Sequence, residues 1–91
     1  MNIIWTKHSQ ERQKEWEKKM GITKLEVEGL IENPEQIVPG DMGVLVAQTA
    51  NRNGLLRSLF IETGVGRKII RVYWTSKVKK YWKEQEDGNK V

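Results

Sequence analysis

Apolar and polar residues follow two different periods along the chain, and the period changes near residue 35. Residues 6–20 contain no proline and are dense in glutamate, glutamine, lysine and arginine, which favour a helix. The pattern predicts a first helix over residues 6–20 that ends at Gly21. The residues that share one narrow face of this helix at helical spacing are Trp5, Ser9, Arg12, Trp16 and Met20.

A second helix is predicted to begin at Thr23. Residues 23–26 read Thr-Lys-Leu-Glu, a capping box in which the Thr23 hydroxyl accepts from the backbone of Glu26 and the Glu26 carboxylate accepts from that of Thr23. Pro34 disfavours helical backbone at Asn33 and ends the helix. The residues that this helix is predicted to bury are Leu25, Val27, Leu30 and Ile31.

Beyond residue 35 the chain is typical of β-structure with short connections. Asn53-Gly54 tolerates the positive φ angles of a tight hairpin turn, and the Gly-Val-Gly sequence at 64–66 turns the chain again. Short connections between successive strands favour an antiparallel meander. The predicted strands are a short edge strand within residues 35–41, stopped by Pro39-Gly40, and longer strands over 42–50, 55–63 and 67–75.

A last helix is predicted after the sheet, capped by Thr75 or Ser76, with Val78, Tyr81 and Trp82 on one face. The elements together predict an α+β fold. In this fold two N-terminal helices pack on a three- to four-stranded antiparallel sheet, and a C-terminal helix follows. We expect a single domain over residues 1–91, in which residues 84–91 form a polar tail.

Strict alternation divides the last long strand into two faces. Lys68, Ile70, Val72 and Trp74 form the more apolar face, which is predicted to meet the helices. If helices cover only that side, the other face of the sheet stays free. The residues predicted on this free face of the last strand are Arg67, Ile69, Arg71, Tyr73 and Thr75. On the preceding strand Arg57 shares a face with Leu55, Leu59 and Ile61, or is rotated from it by a bulge.

Charge is distributed unevenly along the chain, although the net charge is only +4. Residues 1–36 carry six bases and seven acids, whereas residues 65–91 carry eight bases and three acids, and no acid lies between Val65 and Lys83. Such a basic segment indicates an anionic partner. This partner could be nucleic acid, an acidic protein or, least favoured, a membrane surface. The alternative is a solvated face that keeps the protein soluble.

Several kinds of site are not supported by the sequence. The chain has no cysteine, which excludes disulfides and thiolate metal ligands. No cluster of His, Asp and Glu has the spacing of a metal site, and no glycine-rich loop has the context of a phosphate-binding motif, so we expect neither metal nor cofactor. No segment is apolar enough for a signal peptide or a bilayer span, and we expect a cytoplasmic protein.

Three stretches resemble a small bacterial family of unknown function within the RelE/ParE-like toxin superfamily. They are TKHSQER near the start, GITKLEVEGLIENPEQIVPG in the middle and YWTSKVKKYWK at the end. The resemblance covers roughly residues 5–83, and the order of predicted elements agrees with it. This chain departs from the family pattern at Ser9 and in the Glu/Lys-rich stretch that follows.

The resemblance implies a RelE-like toxin that binds RNA, including ribosome-associated mRNA, through a basic surface and is silenced by an antitoxin protein. Some members of the superfamily are mRNA endonucleases, so a metal-independent endoribonuclease is one expectation. Such cleavage needs a base, a cation to stabilise the phosphorane and an acid for the leaving oxygen. The candidate catalytic residues are Arg67, Arg71, Tyr81 and His8, and the candidate nucleic-acid contacts are Arg12, Arg57, Lys77 and Lys80.

Each of these residues also has a structural interpretation. His8 has no identifiable partner, and a lone histidine of this kind is usually a surface or packing residue of its helix. Arg12 could pair with Glu11 or Glu15. Arg67 and Arg71 could pair with Glu62 across the hairpin. At the level of function the alternatives are a non-catalytic member of the same fold that binds nucleic acid or protein, and a toxin directed at DNA gyrase.

Overall fold

The fold is taken from a computed structural model that describes residues 1–83. The predicted polar tail, residues 84–91, lies outside the described residues. Residues 1–83 form a five-stranded sheet and three helices, which confirms the α+β class. The elements in chain order are β1 (Ile3–Ile4), α1 (Lys7–Met20), α2 (Lys24–Glu32), β2 (Gln36–Pro39), β3 (Leu45–Asn51), β4 (Gly54–Thr63), β5 (Gly66–Thr75) and α3 (Val78–Tyr81).

The strands lie in the order β1-β5-β4-β3-β2. The four later strands pair antiparallel, and β2 forms one edge, as predicted. The predicted count of three to four strands is wrong, because β1 adds a strand parallel to the start of β5, pairing Ile3 with Arg67 and Ile4 with Lys68. Two residues are too few to produce a detectable period in the sequence.

Both N-terminal helices have the caps expected of them. Thr6 and Ser9 form a capping box on α1, which ends at Gly21 in the left-handed conformation with φ of 72°. Thr23 caps α2, and its Oγ1 accepts from the Glu26 amide at 3.1 Å. Side chains of α1 pack mainly on β5, and those of α2 on β4 and β3, so both helices cover the same face of the sheet.

Two residues assigned to the buried helix faces are exposed. Leu25 is 77% exposed because it lies two residues, or about 200°, from the buried Val27 around the α2 axis. Arg12 is exposed on α1, and its neighbour Gln13 is buried instead. The Gln13 amide nitrogen donates to the carbonyl of Ile22 at 3.0 Å. This bond satisfies the buried carbonyl in the connection between α1 and α2.

An irregularity in β5 overturns the predicted division of its faces. Leu59 pairs with Arg71, but its neighbour Phe60 pairs with Ile69, so Ile70 is the extra residue of a β-bulge. The bulge reverses the alternation, and the residues on the helix-covered face are Arg67, Ile69, Val72 and Trp74. Arg71, Tyr73 and Thr75 lie on the opposite face together with Leu59, Arg57 and Leu55.

The core lies between the two N-terminal helices and the sheet. Phe60 at its centre is fully buried, and Trp5, Trp16 and Trp74 pack at its margins. Trp74 thus lies on the face of β5 that meets the helices, as predicted. Burial of a side chain as large as Phe60 stabilises the fold by about 2–3 kcal/mol relative to exposure. The core residues are Ile22, Val27, Leu30, Ile31, Ala47, Leu56, Phe60, Ile69 and Val72.

The β3–β4 hairpin is joined to the start of α2 by an ion pair. Arg52 and Asn53 occupy the two-residue turn with φ of 50° and 63°, so the left-handed pair begins one residue earlier than the predicted Asn53-Gly54. Arg52 donates to both Glu26 carboxylate oxygens, at 2.7 and 3.1 Å, and to the Gly21 carbonyl at 3.2 Å. The hydrogen bond from Arg52 lowers the pKa of Glu26 to about 2.

The C-terminal helix is shorter than the sequence indicates. Only four residues, Val78–Tyr81, are helical, and the N-cap is Lys77, which makes no side-chain capping bond. The predicted caps Thr75 and Ser76 are therefore wrong, although the Thr75 hydroxyl accepts from the Lys77 amide at 3.1 Å. Within residues 1–83, no helix has the length and apolar character needed to cross a bilayer.

Candidate nucleic-acid interface

Arg57 lies on the sheet face that α1 and α2 leave uncovered, and it is only 7% exposed. Its Nε donates to the side-chain oxygen of Gln48 at 2.8 Å, and Nη1 donates to the Tyr73 hydroxyl. The guanidinium carbon lies 3.9 Å from the Tyr81 ring centroid and 5.5 Å from that of Tyr73. Two neutral acceptors and two aromatic faces therefore surround this cation. We call Arg57, Tyr73 and Tyr81 the arginine–tyrosine cluster.

No carboxylate among residues 1–83 forms an ion pair with Arg57. Three of the five arginines do have such partners: Arg12 with Glu15, Arg52 with Glu26 and Arg67 with Glu62. Removing a guanidinium from water costs free energy that a carboxylate normally offsets. Nε and Nη1 of Arg57 thus donate hydrogen bonds, but no carboxylate among the described residues offsets its positive charge.

The C-terminal segment is held over this cluster by two glutamine side chains. The Gln48 amide nitrogen donates to the Gln36 side-chain oxygen at 2.8 Å and to the Tyr81 carbonyl at 2.9 Å. Gln36 in turn donates to the Lys83 carbonyl at 2.5 Å and accepts from the Lys83 amide at 3.1 Å. These bonds fix the backbone of α3 on the sheet and place the Tyr81 ring above Arg57.

The two tyrosines of the cluster have pKa values displaced in opposite directions. Burial raises the pKa of Tyr73, against the opposing charge and hydrogen bond of Arg57. Desolvation also acts to raise the pKa of Tyr81, but the hydrogen bond and charge of Lys80 and the charge of Arg57 outweigh it and lower the pKa. The Tyr73 and Tyr81 rings meet edge to face, with centroids 6.5 Å apart.

A polar crevice of about 280 Å³ opens beside the cluster, between α1 and β5. Arg12, Lys19 and Arg71 contribute cations to it, and Glu15 contributes one carboxylate. We call it the α1–β5 crevice; the complete lining is Arg12, Glu15, Trp16, Lys19, Arg71, Val72 and Tyr73. Tyr73 lines this crevice and also belongs to the cluster.

The structure separates the two arginines that were predicted to act together. Arg71 is exposed on the uncovered face, diagonal to Arg57 on the neighbouring strand. Arg67 is on the helix-covered side of the bulge, where its side chain is 16% exposed. It donates to the Ile31 carbonyl at 2.7 Å and to Glu62 at 3.1 Å, and it lies 4.9 Å from the Phe60 ring centroid. Its contacts join α2 to the sheet.

The other predicted site residues are spread around this surface. His8 and Arg12 are exposed one turn apart on α1, and Arg12 donates to Glu15 at 2.9 Å. Lys77 and Lys80 are exposed on the C-terminal segment, and the Lys80 ammonium lies 5.2 Å from the Tyr81 ring centroid. Arg57, Arg71, Tyr81 and Lys80 thus lie on the uncovered side of the sheet, Arg12 lies at the crevice between α1 and β5, and Arg67 lies on the helix-covered side.

The sequence reasoning missed residues that shape this surface. Gln48 interrupts the apolar run Val-Leu-Val-Ala of β3, and a polar residue inside such a run is a signal of a buried hydrogen-bonded site. Tyr73 was placed on the uncovered face but not assigned a role. Trp16 and Lys19 offered no signal, because the crevice that they line depends on how α1 crosses β5.

Comparison of this chain with protein-family models, with curated proteins and with solved structures found no match to any of them. The interpretation of the surface accordingly depends on its own chemistry.

Proposed function

We propose that this chain is a RelE/ParE-like domain that binds single-stranded RNA in the cytoplasm across the arginine–tyrosine cluster. The observation that carries the proposal is Arg57, a nearly buried cation with no carboxylate partner among the described residues. An RNA phosphate supplies the missing negative charge, and guanidinium matches phosphate geometry. The order of elements, with two helices before the four antiparallel strands and one helix after them, also supports the RelE-like proposal.

Residues around Arg57 favour an unpaired strand over a duplex. Single-stranded RNA is bound by cations that track the phosphates and by aromatic rings on which bases stack. Arg71 is an exposed cation on β5 two residues from Tyr73, and Lys80 is an exposed cation beside the half-buried Tyr81 ring. A strand crossing the cluster would meet a cation, an aromatic ring and a second cation in turn.

Fluorescence anisotropy with a short labelled single-stranded RNA tests the proposal. Arg71→Gln and Lys80→Gln are each expected to weaken binding and to reduce the slope of log K against log salt by about 0.7, the value for one phosphate contact on a single strand. Lys18→Gln removes the same charge from an exposed position of α1 outside the surface and is expected to leave both quantities unchanged. Equal effects of all three variants would show only non-specific attraction.

Cleavage of the bound RNA is a second candidate function, favoured by the opposite displacement of the two tyrosine pKa values. A phenol of lowered pKa is more readily deprotonated to the phenolate that a general base must be, and the Tyr81 phenolate would take the proton of a 2′-hydroxyl while Arg57 stabilises the phosphorane charge. The 2′-oxygen would attack phosphorus and the bond to the 5′-oxygen would break. Tyr73 keeps its proton to higher pH and could return one to the leaving oxygen.

Induced expression in bacteria distinguishes the functional alternatives. Growth arrest with new mRNA 5′ ends, both lost in Tyr81→Phe, would support an endoribonuclease toxin, whose antitoxin would be a protein partner. RNA binding without new ends would support a non-catalytic RNA-binding domain. Arrest with intact mRNA and no RNA affinity would contradict the proposal and favour gyrase or another protein target.

A further inference from the structure

The α1–β5 crevice differs from the arginine–tyrosine cluster in shape and charge. The cluster lies on one face of the sheet beneath Tyr81 of α3, whereas the crevice is a concave space of about 280 Å³ lined by a helix and a strand. Two of its cations, Arg12 and Lys19, come from α1, and the third, Arg71, comes from β5. The groups that converge there are therefore held by two different elements.

Charge in the crevice exceeds what one internal phosphodiester requires. Three cations and the single carboxylate of Glu15 give the lining a net charge of +2. Glu15 accepts from Arg12 at 2.9 Å, and Lys19 lies 5.0 Å from the Trp16 ring centroid. Neither Lys19 nor Arg71 pairs with a carboxylate among residues 1–83. A phosphodiester carries one negative charge, whereas a phosphate monoester carries about −1.5 to −2 at pH 7.

We infer that the α1–β5 crevice binds the terminal phosphate monoester of an RNA strand whose body lies on the arginine–tyrosine cluster. This inference rests on the proposed function. The net charge of +2 on the lining matches the dianionic phosphate monoester. The crevice is closed by α1 on one side and by β5 on the other, a shape that suits the end of a strand. Tyr73 is shared by the crevice and the cluster, so a strand that ends in the crevice continues directly onto Arg57.

Three forms of one RNA test the inference: a form with a 5′-phosphate, a form with a 3′-phosphate and a form with hydroxyls at both ends. The wild type is expected to bind one phosphorylated form about tenfold more tightly than the hydroxyl form, since hydrogen bonds to charged groups are worth about that factor. Which form is preferred identifies the strand end that enters the crevice. The measured quantity is the ratio of the dissociation constants of the hydroxyl form and the phosphorylated form. Non-specific attraction between the protein and the RNA backbone contributes to both constants and cancels in the ratio.

Crevice variants sharpen the test. Lys19→Gln is expected to bring the ratio towards one, and Glu15→Gln, which removes a negative charge and releases Arg12, is expected to increase it. Lys14→Gln removes a lysine from the opposite side of α1 and is expected to keep the wild-type ratio. Equal wild-type affinity for all three RNA forms would overturn the inference and leave the proposed function standing. Absence of binding to every form would overturn both.

Discussion

Replacement of Arg57 by methionine should weaken RNA binding while changing the stability of the fold little. Methionine keeps an unbranched side chain of similar length and removes the charge. Arg57 donates two hydrogen bonds to neutral acceptors, Gln48 and Tyr73, each worth about 1.5–3 kcal/mol when the donor is charged. Against this stands the cost of burying a guanidinium that has no carboxylate among the described residues, which is several kcal/mol. These two contributions nearly cancel.

We therefore expect Arg57→Met to change the free energy of unfolding by no more than about 2 kcal/mol in either direction. RNA affinity is expected to fall at least tenfold, about 1.4 kcal/mol, because the phosphate loses its central cation. Urea unfolding measures the first quantity. Fluorescence anisotropy on the folded variant measures the second.

Arg67→Met is the matched control, because Arg67 is also largely buried but bonds to the Ile31 carbonyl and to Glu62. It is expected to lose about 2 kcal/mol of stability and to keep wild-type RNA affinity while folded. The reasoning would be refuted if Arg57→Met cost more than about 4 kcal/mol while the folded variant still bound RNA normally. Arg57 would then be a structural residue like Arg67.

Three further outcomes are expected from other parts of the fold. The pKa of Glu26 is lowered from 4.5 to about 2, so its contribution to stability is full above pH 4.5 and is lost as pH falls towards 2. Because Glu26 is partly exposed, the loss should be only about 1–2 kcal/mol, measured by urea unfolding and absent in Glu26→Gln. Gly66→Ala should destabilise by more than about 1 kcal/mol in thermal unfolding, since φ is 151° and a Cβ would lie 2.3 Å from the Asn2 carbonyl; an unchanged Tm would contradict the β1–β5 pairing. Gln48→Met should accelerate hydrogen exchange at the Trp82 amide, and unchanged exchange would show that the glutamines do not hold α3.

Local signals predicted the two N-terminal helices well, although not the C-terminal one, because caps act within a few residues. The Thr23 capping box and the left-handed Gly21 depend only on their immediate neighbours, and both are present. Runs of β-forming residues between turn signals likewise located β3, β4 and β5. The two-residue β1 could not be detected in this way, because its existence depends on pairing with β5 more than sixty residues later.

A single β-bulge determines which residues of β5 share a face, so this part of the candidate site could not be predicted from the sequence. With strict alternation Arg67 and Arg71 share a face; with Ile70 as an extra residue they do not. No residue near Ile70 marks the bulge in the sequence. The pairing of Arg57 with Gln48 and Tyr73 depends on the register of three strands, so the sequence could group Arg57 with Leu55, Leu59 and Ile61 as one of two alternatives but could not identify its partners.

The most direct test of RNA binding at the arginine–tyrosine cluster is an NMR titration of the wild-type chain with single-stranded RNA. The account predicts that the Arg57 side-chain Nε resonance and the backbone amides of Arg71, Tyr73 and Tyr81 shift together and saturate at one RNA concentration. Resonances of the Arg52 hairpin turn should stay fixed, since that arginine is paired with Glu26. The account would be contradicted if excess RNA left Arg57 unperturbed, or shifted only residues remote from this face.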